Sequence, residues 1–292
     1  FLIIQRSFNQ NIFLKWFSKK LLIHTNLKNN NNMKVVILAG GLGSRLIEKT
    51  DIKPKPMVEI GHKPIIWHIM KYYSSFGYNE FVICLGYKGE LIKDYFSSYF
   101  YNNSDFTVDI ENDNIQIHNK SNEKWKISLI DTGKETLTGA RIAKIKKYTD
   151  NKRFFLTYGD GLSNIDIKKL LKFHIESKKK CTVTAVKPKG RYGVIKFSKD
   201  RVDFSEKNSK DVDWVNGGFF VCEPSVFDYV NKDANIMWER KPMEKLAVEN
   251  ELNAFKHSGF WKAMDTLKDQ NELEKLWVNN NAKWKTCRLK LF

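Results

Sequence analysis

The chain has 292 residues, of which 42% are hydrophobic and 13% aromatic; this is enough to bury a core in one large domain and excludes an intrinsically disordered protein. The formal net charge of +17 indicates anionic partners, but the basic residues are scattered and do not form the aromatic-lined groove typical of nucleic-acid binding. Cysteines without a CxxC pair and histidines without metal-ligand spacing argue against disulfides or zinc and fit the cytoplasm, and no apolar run is long enough to span a membrane.

Residues 1–32 differ in composition from the rest of the chain. They contain five basic residues and no acidic one, and they end in four asparagines before Met33 opens an apolar run. We interpret them as an extension that is disordered or non-native, preceding a natural start at Met33. A targeting peptide and a helix lying on a membrane surface are the alternatives, because the segment is basic and partly amphipathic.

From Met33 onward, apolar strands alternate with amphipathic helices. The predicted strands span residues 34–38, 81–85, 127–130, 153–158 and 181–186. The predicted helices span residues 64–76, 90–100, 139–147 and 165–177. A hairpin is predicted where residues 106–110 and 115–118 alternate around an Asn-Asp-Asn turn. This alternation is typical of parallel sheets that are covered by helices on both faces.

Beyond Pro188 the pattern changes to shorter elements. The predicted β segments there span residues 192–197, 202–204 and 214–222, and the predicted helices span 225–230, 242–249 and 266–277. The sequence thus predicts an α/β fold with a doubly wound, mainly parallel, Rossmann-like sheet, small β insertions and a C-terminal helical segment. We expect the α/β domain over residues 33–265 and the C-terminal helix and tail over 266–292. Ligands of such sheets bind at the carboxyl ends of the strands.

Three glycines follow the first predicted strand at once, in the segment 38–46 (LAGGLGSRL). Without Cβ atoms the backbone can approach a phosphate closely and point successive N–H groups at it, and Arg45 adds a guanidinium for phosphate oxygens. The glycine spacing matches neither GxGxxG nor GxxxxGK[ST], so the dinucleotide fingerprint and the Walker loop are both excluded. Taken alone, the segment could equally be a tight turn without a ligand.

A second candidate segment is Lys53-Pro54-Lys55-Pro56-Met57. The prolines exclude regular helix and predict an extended, stiff presentation of two ammonium groups. A rigid lysine can neutralise the charge that grows as pyrophosphate leaves a triphosphate. An ordinary solvated loop is the alternative for this segment taken alone.

In combination these segments resemble the nucleotidyltransferases that activate sugar phosphates. The resemblance runs in order from about residue 33 to residue 286. Its opening blocks are residues 38–46, 53–60 and 63–65. Later blocks are most similar to the branch that transfers a cytidylyl group from CTP to glucose 1-phosphate. Those blocks are residues 67–70, 86–89, 131–133, 138–141, 156–161, 216–220 and 259–266.

The resemblance implies a role for each matching residue. The nucleotide would be bound by Leu38, Ala39, Gly40, Gly41, Leu42, Gly43, Ser44, Arg45, Lys55, Thr136, Arg141 and Gly159. The sugar phosphate would be bound by Glu206, Lys207, Asn216 and Gly217. Asp160 and Asp265 would hold Mg²⁺, a hard ion that prefers oxygen ligands. Catalysis would rest on Arg45, Lys55, Asp160 and Lys207. A simple turn at Asp160 and a helix N-cap at Asp265 are the non-catalytic alternatives.

The implied reaction is direct in-line displacement of pyrophosphate without a general base, since the oxygens of a sugar phosphate are already nucleophilic near neutral pH. The sister reactions with dTTP or UTP, and a catalytically silent nucleotide-binding regulatory subunit, are the alternatives. The family also implies a homo-oligomer and a product used for surface polysaccharide, such as lipopolysaccharide. Candidate oligomer contacts are the tail around Trp277 and Trp284 and the 106–118 hairpin, with core packing as the alternative.

Three positions depart from the family pattern. His62 stands where glycine is usual, and Asn208 and Ala263 stand where proline is usual. Because these residues flank the expected site, we expect altered turns and retained chemistry.

Overall fold

The computed structural model describes residues 33–43, 52–119, 123–187, 214–231 and 235–285, together with the backbone of 194–198 and 201–205. The chain divides into two compact units, residues 1–33 and residues 34–292. Of the first unit only Met33 is described, so the interpretation of residues 1–32 lies outside the described residues. Within the described part of the chain, no helix is long and apolar enough to cross a membrane.

The strands are numbered in chain order. They are β1 Lys34–Leu38, β2 Glu59–Ile60, β3 Lys63–Pro64, β4 Glu80–Leu85, β5 Phe106–Asp109, β6 Asn114–Ile117, β7 Lys126–Asp131, β8 Phe154–Tyr158, β9 Gly161–Ser163, β10 Cys181–Val186, β11 Val194–Ser198, β12 Arg201–Ser205, β13 Val215–Cys222, β14 Leu252–His257 and β15 Trp261–Ala263.

The α-helices are numbered in the same way. They are α1 Ile65–Ser75, α2 Gly89–Ser97, α3 Tyr99–Asn102, α4 Thr138–Lys144, α5 Ile167–Ser177, α6 Lys241–Val248 and α7 Leu267–Val278. Short 3₁₀ turns occupy Lys55–Met57, Lys146–Tyr148 and Pro224–Tyr229.

The main sheet has the strand order β12-β11-β13-β8-β1-β4-β7, and β10 pairs with both β13 and β14. Strand β1 is parallel to β4 and β8, and β4 is parallel to β7. Strand β13 runs antiparallel to β8, β10 and β11. The predicted mainly parallel α/β fold is confirmed. One of the predicted small β segments, β13, is a central strand that joins the two halves of this sheet.

The central strands are buried because both faces of the sheet are covered. All six residues of β10 are buried, and every residue of β1 after Lys34 is buried. One face packs Val36, Phe154 and Phe220 with the fully buried Trp238. On the other face, the ring of Tyr73 in α1 lies 5.5 Å from Phe155. This burial explains why the strand predictions from uninterrupted apolar runs are confirmed.

Several element boundaries differ from the sequence predictions for local reasons. The predicted helix 90–100 is divided at Ser98 into α2 and α3. Helix α5 begins two residues later than predicted because the Asp166 side chain accepts from the Lys169 N–H and caps it. Helix α7 is capped by Thr266 in a capping box with Asp269, so the alternative that Asp265 caps this helix is wrong.

Five strands escaped prediction. Strands β2, β3, β9 and β15 have two or three residues each, too few for an alternating pattern to show. Strand β14 carries polar residues between its buried ones and pairs only with β10 among the described strands. Such a half-buried strand at a sheet edge gives a weaker sequence signal than a central one.

His62 shows how one departure from the family pattern is accommodated. Gly61 and His62 connect β2 to β3, and both have positive φ, +58° and +61°. Two successive left-handed residues are typical of a two-residue hairpin turn, which normally favours glycine or asparagine. His62 therefore adopts the conformation for which a glycine would be chosen.

The C-terminal segment packs on the elements that follow the Lys55 turn. Trp277 and Trp284 lie with ring centroids 4.7 Å and 6.2 Å from His68 of α1, and Trp284 is only 3% exposed. The Gly61 N–H donates to Glu274 of α7 at 2.8 Å. Both tryptophans therefore pack against other residues of this chain, as the core-packing alternative predicts.

Candidate active site

A cavity of about 400 Å³ lies at the carboxyl ends of β1 and β8, the edge that the fold class predicts for ligands. Residues Leu38, Ala39, Gly40, Gly41 and Gly43 line it from the first strand, and Gly159, Asp160 and Gly161 line it from β8. Lys55, Thr136, Arg141, Asn216, Gly217 and Asp265 complete the predicted site residues that the cavity brings together. Segments far apart in the chain thus meet around one volume.

The glycine-rich loop is shaped by close backbone approach. A Cβ at Gly40 would lie 2.2 Å from Nη1 of Arg141, so no other residue fits there without moving the arginine. Gly43 has a φ of +65°, which a residue with a side chain rarely adopts. The Leu42 side chain is 54% exposed, and Leu42 is not among the residues that line the cavity. Ser44 and Arg45 lie outside the described residues.

Arg141 is buried and its guanidinium holds the loops around the cavity. Nη1 donates to Leu85 O, Thr132 Oγ1 and Gly133 O at 2.6–2.8 Å. Nη2 donates to Gly40 O at 2.8 Å and to Lys134 O at 3.2 Å. Burial lowers the pKa of Arg141 from its usual value. Arg141 therefore ties the glycine loop to residues 132–134, and a direct contact with the nucleotide stays a prediction.

The start of α4 and the two residues before it form another part of the cavity wall. Thr136, Leu137 and Thr138 line the cavity. The Leu137 N–H donates to Asn235 Oδ1 at 2.7 Å, and the Trp238 N–H donates to Thr138 Oγ1 at 2.8 Å. These hydrogen bonds join residues about a hundred positions apart in the sequence, and they fix this wall to the segment before α6.

Lys55 joins the two predicted metal ligands. Its Nζ donates to Asp160 Oδ2 and to Asp265 Oδ1, both at 2.6 Å. Burial by itself would lower the pKa of Lys55, but the two carboxylates outweigh it and raise the pKa, so the ammonium form is stabilised. The three side chains form one compact charged cluster on the cavity wall.

The backbone around Lys55 differs from the extended segment that the prolines predict. Pro54 is extended, with φ −64° and ψ 148°, but Lys55–Met57 form a single 3₁₀ turn with Pro56 in it. Proline is compatible with the first turn of a helix because its φ is fixed near the helical value and its missing N–H would have no partner there. The turn is rigid, as expected, although its shape is different.

The two carboxylates also fit a divalent metal ion. They already converge on one cation, the Lys55 ammonium, and carboxylate oxygens are the ligands that hard divalent ions prefer. No cluster of three or more His, Cys, Asp or Glu side chains suited to a metal occurs among the described residues. A metal held by Asp160 and Asp265 would therefore complete its shell with water or with oxygens of a bound phosphate.

The predicted sugar-phosphate side is built on β13. Asn216 and Gly217 line the cavity, and the Trp261 indole N–H donates to Gly217 O at 2.7 Å. Glu206 and Lys207, predicted for the same side, lie outside the described residues, as does Asn208. The structure thus places Asn216 and Gly217 on the same cavity as the glycine loop.

Sequence reasoning overlooked some side chains that shape the cavity. Tyr158 and Thr138 line it, but in the sequence they stand out only as parts of longer blocks. Glu239 contacts both of them and lies outside every block. The sequence signal for Glu239 is only an acidic residue directly after a tryptophan, and that pattern is too common to single out a residue.

Comparisons with known proteins identify the family of this chain. Residues 34–279 match the family model for "Nucleotidyl transferase". The chain is 49% identical over 256 residues to the glucose-1-phosphate cytidylyltransferase of Salmonella typhi, covering 87% of this chain and 99% of that protein. It is 44% identical over 254 residues to the probable glucose-1-phosphate cytidylyltransferase of Bacillus subtilis, covering 87% and 99%.

Among solved structures, HddC from Yersinia pseudotuberculosis aligns with a TM-score of 0.64 at 22% identity, covering 84% of this chain and 99% of that one. Apo UDP-glucose pyrophosphorylase aligns with a TM-score of 0.66 at 18% identity, covering 85% and 99%. At these identities the structural similarity shows the fold alone. The family match, which covers the glycine loop, Lys55, Asp160 and Asp265, establishes that this chain is a member of the nucleotidyl transferase family.

Proposed function

We propose that this protein transfers a cytidylyl group from CTP to glucose 1-phosphate, giving CDP-glucose and pyrophosphate. The observation that carries the proposal is the 49% identity, over 87% of the chain, to a curated enzyme named for that reaction. The cavity supports it physically, because it offers a glycine loop, a half-buried ammonium and two convergent carboxylates to a nucleotide.

The nucleotide would lie along the glycine loop, with its base toward the start of α4 near Thr136. Backbone N–H groups of Gly40, Gly41 and Gly43 can approach phosphate oxygens because no Cβ intervenes. Gly159 also lines the cavity, and its backbone N–H donates to Leu38 O at 3.0 Å, which holds the end of β8 beside the end of β1. We propose Leu38, Ala39, Leu42, Ser44 and Arg45 for the nucleotide side as well, on the resemblance of the segment 38–46.

The metal assignment rests on Asp160 and Asp265. Enzymes of this family use a divalent metal ion, and we assign Mg²⁺ here. When bound, Mg²⁺ supplies positive charge that neutralises the triphosphate and the departing pyrophosphate. The protein's contribution is to hold the two carboxylates on one side of the cavity.

In the proposed reaction, an oxygen of the glucose 1-phosphate phosphate attacks the α-phosphorus of CTP. The bond between the α-phosphorus and the bridging oxygen breaks, and pyrophosphate leaves with that electron pair. The attacking oxygen carries no proton to remove near neutral pH, so the chain needs to supply only alignment and positive charge. Lys55 supplies charge beside Asp160; Arg45 and Lys207 are proposed for the same role, and Glu206, Asn216 and Gly217 would hold the sugar phosphate.

The test is pyrophosphate release by the full chain with Mg²⁺ and glucose 1-phosphate, measured in parallel with CTP, dTTP, UTP, ATP and GTP. Release with CTP alone is the expected result. Release with dTTP or UTP would retain the mechanism and refute the base assignment. Absence of release with every nucleotide, although CTP binds, would identify a silent nucleotide-binding subunit instead. Homo-oligomeric assembly, cytoplasmic location and use of the product for surface polysaccharide stay predictions.

A further inference from the structure

Glu239 links the two walls of the cavity through hydrogen bonds to two hydroxyl groups. Its Oε1 accepts from the Tyr158 hydroxyl at 2.5 Å, and its Oε2 accepts from Thr138 Oγ1 at 2.6 Å. Tyr158 ends β8, two residues before Asp160 of the charged cluster, whereas Thr138 begins α4. One carboxylate therefore uses both oxygens to join two elements that line the cavity, β8 and α4.

The orientation of this carboxylate is fixed by its surroundings. The Trp238 side chain is fully buried in the core, and its backbone N–H donates to Thr138 Oγ1 at 2.8 Å. Because Thr138 Oγ1 accepts from that N–H, the hydrogen of the Thr138 hydroxyl is free to point toward Glu239. The Glu239 side chain therefore starts from an anchored backbone and ends on an anchored hydroxyl, which leaves it little freedom to rotate.

The Tyr158 hydroxyl passes this orientation on. Burial, and next the nearby Glu239 carboxylate, raise the pKa of Tyr158 far above its usual value, so the hydroxyl keeps its proton. Because a carboxylate has no hydrogen to donate, the hydrogen of the Tyr158 hydroxyl points toward Glu239. The lone pairs of the Tyr158 oxygen then face the opposite way, toward Asn216, whose Nδ2 donates to it at 3.3 Å.

The amide of Asn216 is held at its other end as well. Its Oδ1 accepts from the Gly218 N–H at 2.8 Å. Gly218 has a φ of +76°, and a Cβ there would lie 2.5 Å from Cδ2 of Tyr158, so the tyrosine ring packs directly on this turn. With its carbonyl turned toward Gly218, Asn216 presents the Nδ2 side of the amide, which has a second hydrogen to offer to a ligand.

We propose that Glu239 is a positioning residue that sets the orientation of Asn216 through the Tyr158 hydroxyl, so that Asn216 donates a hydrogen bond to an oxygen of the sugar phosphate. The proposal rests on the proposed function for the identity of that ligand. The orientation chain itself, from Glu239 through Tyr158 to Asn216, is independent of which nucleotide the enzyme uses.

The test compares Glu239→Met, which keeps the side-chain length and removes both acceptors, with Tyr158→Phe, which removes only the hydroxyl. Loss of one oriented donor should raise the KM for glucose 1-phosphate about tenfold in each variant. The KM for CTP should change by less than about twofold.

Glu239→Gln keeps a carbonyl for Tyr158 and should recover most of the loss. The double variant Glu239→Met/Tyr158→Phe should be no worse than Tyr158→Phe. Glu244→Met, the same change on the exposed surface of α6, is the matched control.

A second measurement does not depend on turnover. The two Nδ2 proton resonances of Asn216, assigned by their loss in Asn216→Asp, should shift in Glu239→Met and Tyr158→Phe and stay in place in Glu244→Met. Unshifted Asn216 resonances would overturn the proposal, as would equal rises in both KM values or multiplicative effects in the double variant. Because the resonances report on the free protein, failure of the wild type to use glucose 1-phosphate would refute the proposed function without touching this test. Thermal unfolding of each variant separates these results from misfolding.

Discussion

The side-chain nitrogen of Lys55 lies 2.6 Å from Oδ1 of Asp265, although 210 residues separate them. The same nitrogen lies 2.6 Å from Oδ2 of Asp160. The two carboxylates that we propose as metal ligands are therefore already the partners of an ammonium. These bonds use two of the three ammonium hydrogens of Lys55, and we expect a metal ion at the carboxylates to displace them and free the ammonium for a triphosphate.

Lys55→Met should separate metal binding from catalysis. Removing the competing ammonium leaves two carboxylates facing each other, so affinity for Mg²⁺ in the absence of nucleotide should rise by about tenfold. Turnover should fall by about a hundredfold or more because a transition-state cation is lost. Calorimetric titration with Mg²⁺ and pyrophosphate release measure the two effects.

Lys53→Met is the matched control, since Lys53 is exposed and pairs with Glu59 at 2.7 Å. Unchanged or weaker Mg²⁺ affinity in Lys55→Met would contradict competition.

Asp160→Asn should abolish most of the activity and leave the fold intact. The amide keeps the shape of the side chain but removes the charge that would hold Mg²⁺, so kcat should fall by about a hundredfold or more. Asp265→Asn should behave in the same way, because both carboxylates converge on one cation. Steady-state pyrophosphate release over a range of Mg²⁺ concentrations measures the effect. Near-normal turnover in both variants would remove the metal role from this pair.

Arg141→Met should reduce stability as well as activity. The variant removes the charged hydrogen bonds from the guanidinium to the carbonyl oxygens of Gly40, Leu85 and Gly133, at a cost of about 2–4 kcal/mol in the free energy of unfolding. Arg141→Lys should recover little, because one ammonium cannot reach acceptors on both loops. Urea unfolding measures the loss. A variant with wild-type stability and a raised KM for CTP would show that Arg141 serves the nucleotide more than the loops.

His68 should make stability depend on pH between about 4 and 6.5. Burial lowers the pKa of His68 to about 4, whereas the unfolded chain binds the proton near pH 6.5. Stability from this group is therefore complete above pH 6.5 and is lost as the pH falls toward 4, by up to roughly 3 kcal/mol. Protonation would also place a hydrogen on Nδ1, which now accepts from the Trp284 indole at 3.4 Å.

The measurement is the urea midpoint of the wild type and of His68→Gln at several pH values across that window. The variant should show a shallower decline toward low pH. His174, whose pKa is also lowered by burial, contributes in the same direction in both proteins, so the difference between them isolates His68. Parallel curves would show that His68 does not titrate differently in the folded state.

Local patterns were sufficient for much of the architecture. Uninterrupted apolar runs marked β1 and β4, and mainly apolar runs that contain buried threonines marked β8 and β10, because strands covered on both faces are mostly apolar. The antiparallel placement of β13 beside β8 was not predictable in this way. Its hydrogen bonds join residues more than fifty positions apart, and strand order depends on such long-range pairings.

The sequence by itself determined which chemical groups this protein could use: glycines after a buried strand, a lysine between two prolines, and two aspartates next to predicted element ends. These signals are local, because backbone freedom, proline geometry and burial are properties of short segments. Only the tertiary structure decided that Lys55 would bridge Asp160 and Asp265, that Arg141 would hold loops, and that Glu239 would reach Tyr158. Each of these contacts depends on how strands far apart in the chain are ordered in the sheet, which spacing along the sequence does not encode.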